Sequence, residues 1–265
     1  MKRVTAALSC GVVGLASSLL LARLVHPFGN AGLYSRPVTR GLDHGQVPDT
    51  VRAVLENKCA DCHSNQPRVP LYGRLAPASW LMEKDILKAR EAMNLSAWDS
   101  YSAVQQQTMA AKMIQQMKSR QMPPAQYRMI HWNAGITDGD LRLVSQWARG
   151  SQPTQPGALV AGVGDPARGN ALFEKRCTGC HALTQNHEGP HLQGVYGRTS
   201  GAVANFAYSA ALKRAHIVWD ETSLERWLAD PDALIPGNDM DFLVANPQER
   251  RDLVSYLKQG PAELP

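Results

Sequence analysis

Strand signals are weak along the whole of this 265-residue chain, so no run alternates apolar and polar residues for long enough to argue for a sheet. Cysteine is scarce, with five in all. No C-x-x-C pair sits within an α/β pattern, which removes the thioredoxin-like redox reading. No nucleic-acid motif is visible. The basic first half also lacks the interleaved aromatics that would suggest nucleic-acid binding, so no nucleic-acid partner is expected. Charge is missing from one stretch altogether: between Arg3 and Arg23 no residue is charged.

The length suits about two domains of ordinary size, and 44% apolar residues are enough for compact cores. The formal charge of +5 is unevenly spread. Residues 1–164 carry 18 Lys and Arg against 10 Asp and Glu, a balance of +8, whereas residues 165–265 carry 10 against 13, a balance of −3. Such an asymmetry fits either a solvated surface or the docking of charged partners at one end. The uncharged run from Val4 to Ala22 would span about 28 Å as a helix, close to the thickness of a bilayer core. It offers no clean small-residue cleavage site. Residues 1–25 are therefore expected to be a membrane anchor or signal segment. An uncleaved transmembrane helix with Lys2 and Arg3 in the cytoplasm would export the rest, which gives a location in a bacterial inner membrane with the folded domains in the periplasm.

Beyond residue 25 the patterns are helical. Asp49 is a candidate cap for a helix running into "CADCH". "APASWLMEKDILKAREAMN" places Trp80, Leu81, Ile86, Leu87 and Met93 roughly on one face. "YSAVQQQTMAAKMIQQMKSRQ" spaces Val104, Met109, Met113 and Met117 as a packed helical face. That helix must stop at "MPP". A short helix follows, with Thr137 as its cap and Gly150 at its end. Residues 150–164, rich in Gly and Pro, read as a linker. A second helical set then begins, with "DPARGNALFEKRCTGCH", "DETSLERWLADP" and "NPQERRDLVSYLKQG". The fold class is all-α: an N-terminal transmembrane helix, then two small helical domains at 26–149 and 165–265.

Both domains carry C-x-x-C-H, at Cys59, Cys62 and His63 and at Cys177, Cys180 and His181. In each, a methionine lies 59 residues after the histidine, Met122 and Met240. Four thiolates could hold zinc, but the pairs stand 115 residues apart and zinc has no need of the trailing histidines. A disulfide across two residues would close a small, strained loop. Covalent c-type haem accounts for every part of the motif. Each sulfur adds to one porphyrin vinyl group, two intervening residues match the separation of the vinyls, and the next residue reaches iron with an imidazole. Two covalently bound haem c groups are therefore expected, with His63 and His181 as metal ligands.

A methionine opposite the histidine would fill both axial positions and suit electron transfer. Met240 stands in the irregular stretch "LIPGNDMDF", an unsuitable place for a core residue, and is read as the ligand of the second iron. Met122, stiffened by Pro123 and Pro124, is the matching candidate for the first. His131 competes with it, as do Met113 and Met117, whose helical spacing is also that of a packed face.

Residues 165–260 resemble a class I c-type cytochrome of the mitochondrial and bacterial soluble type, on "GNALFEKRCTGCH", "GPHLQGVYGR", "FAYSAALK", "PGNDMDF" and "ERRDLVSYL". The resemblance implies that Pro190 offers its carbonyl to His181. It also implies that Arg198, Tyr208 and Trp219 surround the haem propionates, and that Gly169, Phe173 and Tyr256 pack the first helix on the last. Where the family usually has asparagine, this chain has His191, which with His187 is a remote alternative ligand. Residues 24–149 resemble a haem-binding domain of membrane-anchored bacterial proteins, on "CADCHSNQPRVPLYGRLAPASWL", "AREAMNLSAW" and "MPPAQYRMIHWNA".

The expectation is a membrane-tethered dihaem cytochrome c. It would pass electrons from a membrane-bound donor to a terminal oxidase or reductase, a soluble cytochrome or a cupredoxin, in a respiratory or photosynthetic chain. No bond chemistry on a substrate is expected. The alternatives are a haem enzyme or a gas or peroxide sensor with an open position at the first iron, with His131 as a distal acid–base group, and a scaffold subunit of a respiratory oxidase.

Overall fold

The computed structural model describes residues 2–35, 42, 47–150 and 162–260. The expected linker falls mostly on 151–161, outside the described residues. Among the described residues the protein is helical, and the isolated bridge between Thr199 and Val218 is its one β-type pairing. The helices are α1 (Lys2–Leu24), α2 (Asp49–Lys58), α3 (Ala60–His63), α4 (Ala78–Ala92), α5 (Ala103–Lys118), α6 (Ala125–Ile130), α7 (Asp138–Gly150), α8 (Pro166–Arg176), α9 (Ala210–Ala215), α10 (Glu221–Ala229), α11 (Pro231–Leu234) and α12 (Pro247–Gln259). They fall into two compact units. One comprises residues 1–100 with 131–135, and the other 101–130 with 136–265. The segments that carry α5, α6 and α7 therefore group with the C-terminal module.

The transmembrane helix, and with it the inner-membrane location and periplasmic orientation, is corrected here. Among the described residues no helix is long and apolar enough to cross a membrane. Residues 2–24 do form one helix, but Ser9, Gly11, Gly14, Ser17 and Ser18 dilute its apolar run. Its last turns are also committed to protein contacts. Ser18 Oγ donates to the Ala76 carbonyl at 2.9 Å, Ala22 is fully buried, and the Arg23 guanidinium stacks over the Tyr34 ring at 5.5 Å. Just beyond, His26 Nδ1 lies 2.9 Å from the buried Glu83 carboxylate.

The first unit places Ile86 of α4 against Ala31 and Leu33, with Cys62 and Met82 packed alongside. The buried face of α4 is Ser79, Glu83 and Ile86, while Leu81 is exposed. The polar pair Glu83–His26 takes the position that the sequence assigns to an apolar stripe. Asp49 also departs from expectation. It sits inside the first turn of α2, where it meets Arg52, and Pro48 holds the cap position without a side-chain bond.

In the second unit the caps follow local chemistry. Ser102 and Gln105 form a reciprocal capping box on α5, and Thr137 and Asp140 do the same for α7. Three helices open with an oxygen-bearing cap followed by proline: Asp165–Pro166, Asp230–Pro231 and Asn246–Pro247. Each cap oxygen accepts backbone N–H groups that the new helix leaves unpaired, and proline at the first position forfeits nothing. Helices α8 and α12 cross at Gly169, where a Cβ would stand 2.0 Å from the Asp252 carbonyl. Phe173 and Tyr256 meet beside that crossing with ring centroids 5.4 Å apart. Asp252 locks it, accepting the Asp165 and Gln248 N–H groups and both arms of Arg168.

Candidate functional site: two cysteine–histidine turns

Each C-x-x-C-H motif emerges where a helix ends. Helix α2 stops at Lys58 and α8 at Arg176, so Cys59 and Cys177 are the C-caps. The next residues turn in the same way in both copies. The Cys59 carbonyl accepts from Cys62 N (3.2 Å) and His63 N (3.0 Å), and the Cys177 carbonyl accepts from Cys180 N (3.0 Å) and His181 N (2.8 Å). Capping carbonyls thus receive the amides of the second cysteine and the histidine, and three reactive side chains project from a single turn.

Both imidazoles are fixed by backbone. His181 Nδ1 lies 2.7 Å from the Pro190 carbonyl, and His63 Nδ1 lies 3.0 Å from the Met93 carbonyl. A carbonyl only accepts, so Nδ1 carries the proton and Nε2 keeps its lone pair for a metal. Burial pushes the pKa of both histidines down, against the raising effect of these carbonyls. Burial likewise pushes the thiols up, to about 11 for Cys62 and Cys180 and about 12 for Cys177. Burial therefore keeps these thiols neutral. Neither pair is bridged as a disulfide. Among the described residues no three His, Cys, Asp or Glu side chains converge as a metal cluster.

Around the second motif the fold leaves a cavity of about 1370 Å³, open mouth included. Cys177, Cys180, His181 and Met240 all line it, with apolar walls that include Val195, Leu228 and Leu253. Gly189 makes room for the histidine, since a Cβ there would lie 2.2 Å from the His181 ring. Arg198, Tyr208 and Trp219 line the same cavity. The Arg198 guanidinium donates to the His191 and Gln193 carbonyls at 2.8 and 3.1 Å. Burial lowers its pKa and raises that of Tyr208. The Trp219 and Trp227 rings meet at a tilt of 55°, with centroids 5.3 Å apart. His191 turns to Asn186, with Nδ1 3.1 Å from Oδ1, and does not line the cavity; His187 is also outside it. Helix α5 contributes Thr108, Ala111 and Gln115 to the wall.

The first motif lies in the other unit. Arg90 braces its turn by donating from Nε to the Ser64 carbonyl at 2.8 Å. Met113 and Met117 are buried on α5, as a packed face requires. Met122 is 41% exposed and groups with the second unit, whereas His131 groups with the first and places Nε2 2.8 Å from the Tyr72 hydroxyl. The Met93 carbonyl, Arg90 and the α5 wall escape the sequence reading. Only the first has a sequence signal: a helix ending at "AMN" leaves free carbonyls in its last turn.

A large apolar cavity faced by two thiols, an imidazole with a free Nε2 and a thioether has the donor set of a c-type haem protein. Comparison with known proteins agrees. The family model for a haem-binding domain matches residues 19–150, and that for cytochrome c matches 166–261. Cytochrome c of Chlamydomonas reinhardtii is 43% identical over 106 residues, covering 38% of this chain and 95% of that protein. Cytochrome c of Euglena viridis is 45% identical over 98 residues, covering 36% and 96%. Cytochrome cH from Methylobacterium extorquens, a solved structure, is 39% identical and covers 36% of this chain and 99% of that one, with a TM-score of 0.35. The chain belongs to the cytochrome c family, with a haem-binding domain ahead of its cytochrome c domain. It is a c-type cytochrome of the electron-transfer class, and its cofactor is covalently bound haem c.

Proposed function

We propose that the protein carries two haem c groups, one on each C-x-x-C-H turn, and relays electrons between two redox partner proteins. The observation that carries this reading is the repeated turn, in which each histidine spends Nδ1 on a backbone carbonyl and keeps Nε2 for iron. Cys59 and Cys62, and Cys177 and Cys180, would form the thioethers, His63 and His181 would each bind iron through Nε2, and Met240 would be the other protein ligand of the C-terminal iron. Bound haem supplies an iron that cycles between ferric and ferrous states. The protein's part is to hold donors in place and exclude water. The Pro190 and Met93 carbonyls orient the imidazoles, Gly189 lets the ring seat, and the apolar walls keep the dielectric low, so that little reorganises on reduction. Arg198 and Tyr208 stand ready to neutralise and hydrogen-bond propionates.

Two measurements test this. The mass of the mature protein should exceed that of the polypeptide by two haems, and a mass showing one or none refutes the count. Carbon monoxide added to the reduced protein should leave the spectrum of the C-terminal haem unchanged. A carbon monoxide complex at the first haem would instead mark an open position there and the ligand-binding reading. For that first iron, Met122 and His131 are the candidate second ligands, and the optical spectra of Met122→Ala and His131→Ala decide between them.

A further inference from the structure

Asp241 follows Met240, and its side chain is only 1% exposed. A buried carboxylate needs partners, and here they come from outside residues 166–261, the segment matched to cytochrome c. Lys118, the last residue of α5, places Nζ 2.5 Å from Asp241 Oδ2 and 3.2 Å from the Asn238 carbonyl. Arg149, near the end of α7, reaches Asp241 Oδ1 at 3.2 Å and also pairs with Asp232. Asn238 closes the network. Its Oδ1 accepts the Met240 amide at 2.7 Å, and its Nδ2 donates to Asp232 Oδ1 and the Ile235 carbonyl, each at 2.9 Å. The Asn238 carbonyl and the Asp241 carboxylate, on either side of Met240, are thus tied to two cations carried by α5 and α7 of the same compact unit. The matched cytochromes c have no length left for such a segment, since the Chlamydomonas protein spends 95% of its residues on the 106-residue match.

We propose that Lys118 and Arg149 are positioning residues for Met240, and that as a pair of cations beside a buried carboxylate they raise the reduction potential of the C-terminal haem. The proposal rests on the reading that Met240 is an axial ligand. A buried carboxylate adjacent in sequence to an iron ligand would favour the ferric state, and a cation paired with it would offset that preference. Residues 166–261 therefore depend on α5 and α7, which lie outside the segment matched to cytochrome c, for their redox poise.

The test is a spectroscopic redox titration of the full-length holoprotein. Lys118→Met should shift the oxidised-to-reduced equilibrium of the C-terminal haem at least tenfold towards ferric, 59 mV for one electron, and Lys118→Arg should restore it. Asp241→Asn should shift it the opposite way. If Lys118→Met fails to give folded holoprotein, Arg149→Met carries the same test from the more exposed partner. Unchanged midpoints in both cation variants overturn the proposal. So does a shift of the same sign in Lys118→Met and Asp241→Asn, which would mean a loosened loop rather than charge. Met240→Ala is the separate control: if it leaves spectrum and midpoint as in the wild type, the ligand reading itself falls, whatever the lysine variants do.

Discussion

At Gly189 a hydrogen is all the site allows, because a Cβ would sit 2.2 Å from His181 Cε1. Gly189→Ala must therefore push the imidazole or the backbone, and overpacking of this kind costs about 1–3 kcal/mol. We expect the holoprotein to melt roughly 2–4 °C lower per kcal/mol lost, with a perturbed spectrum of the C-terminal haem. A wild-type melt and spectrum would show that the ring has room to spare. The residues that make the two turns were legible in the sequence because their chemistry depends on spacing within five positions. What fixes the histidines was only half legible. The Pro190 carbonyl came through family resemblance, but the Met93 carbonyl is a backbone group that any residue could supply, and its position depends on where α4 ends.

At the scale of elements, the crossing of α8 and α12 holds the first helix, and so Cys177, against the last. Asp252 anchors it. The two bonds from Arg168 chiefly hold its pKa at about 2, below the usual 3.8, and the Asp165 amide and Gln248 assist. A carboxyl depressed in the folded state contributes stability that is fully present above its unfolded value and is lost as pH falls through the folded one. The full shift would be worth about 2 kcal/mol, and the exposure of Arg168 reduces this to about 1 kcal/mol. Asp252→Asn should lower stability by that amount at pH 7, and the gap from wild type should close between about pH 4 and pH 2, as read by denaturant titration across pH. A gap independent of pH would remove the ion pair as its cause. A Cβ at Gly169 meets backbone rather than a movable side chain, so Gly169→Ala should destabilise by about 1–3 kcal/mol in the same titration. Helix starts such as Asp165–Pro166 were readable because capping is local. The buried face of α4 was not, since Glu83 is held in the interior by His26, 57 residues away. The grouping of α5 with the C-terminal module was hidden for the same reason: its ties to Glu188, Leu243 and Asp241 are long-range polar pairs without periodicity.

At the scale of the whole chain, the two motifs make separable claims. The C-terminal site has its thiols, imidazole, thioether and cavity within one compact unit. The N-terminal thiols and imidazole lie in the other, and Met122 does not group with them. Removing one attachment site should therefore leave the other intact. The variant Cys59→Ala with Cys62→Ala is expected to lose one haem by mass and one step of the redox titration, while the step that responds to Met240→Ala remains. Transfer through the molecule should then fail even though the surviving haem still reduces and reoxidises, because a relay needs both stations. A double variant that retains two haems by mass would show that CADCH is not an attachment site. One that exchanges electrons between donor and acceptor at the wild-type rate would show that the first haem lies off the path.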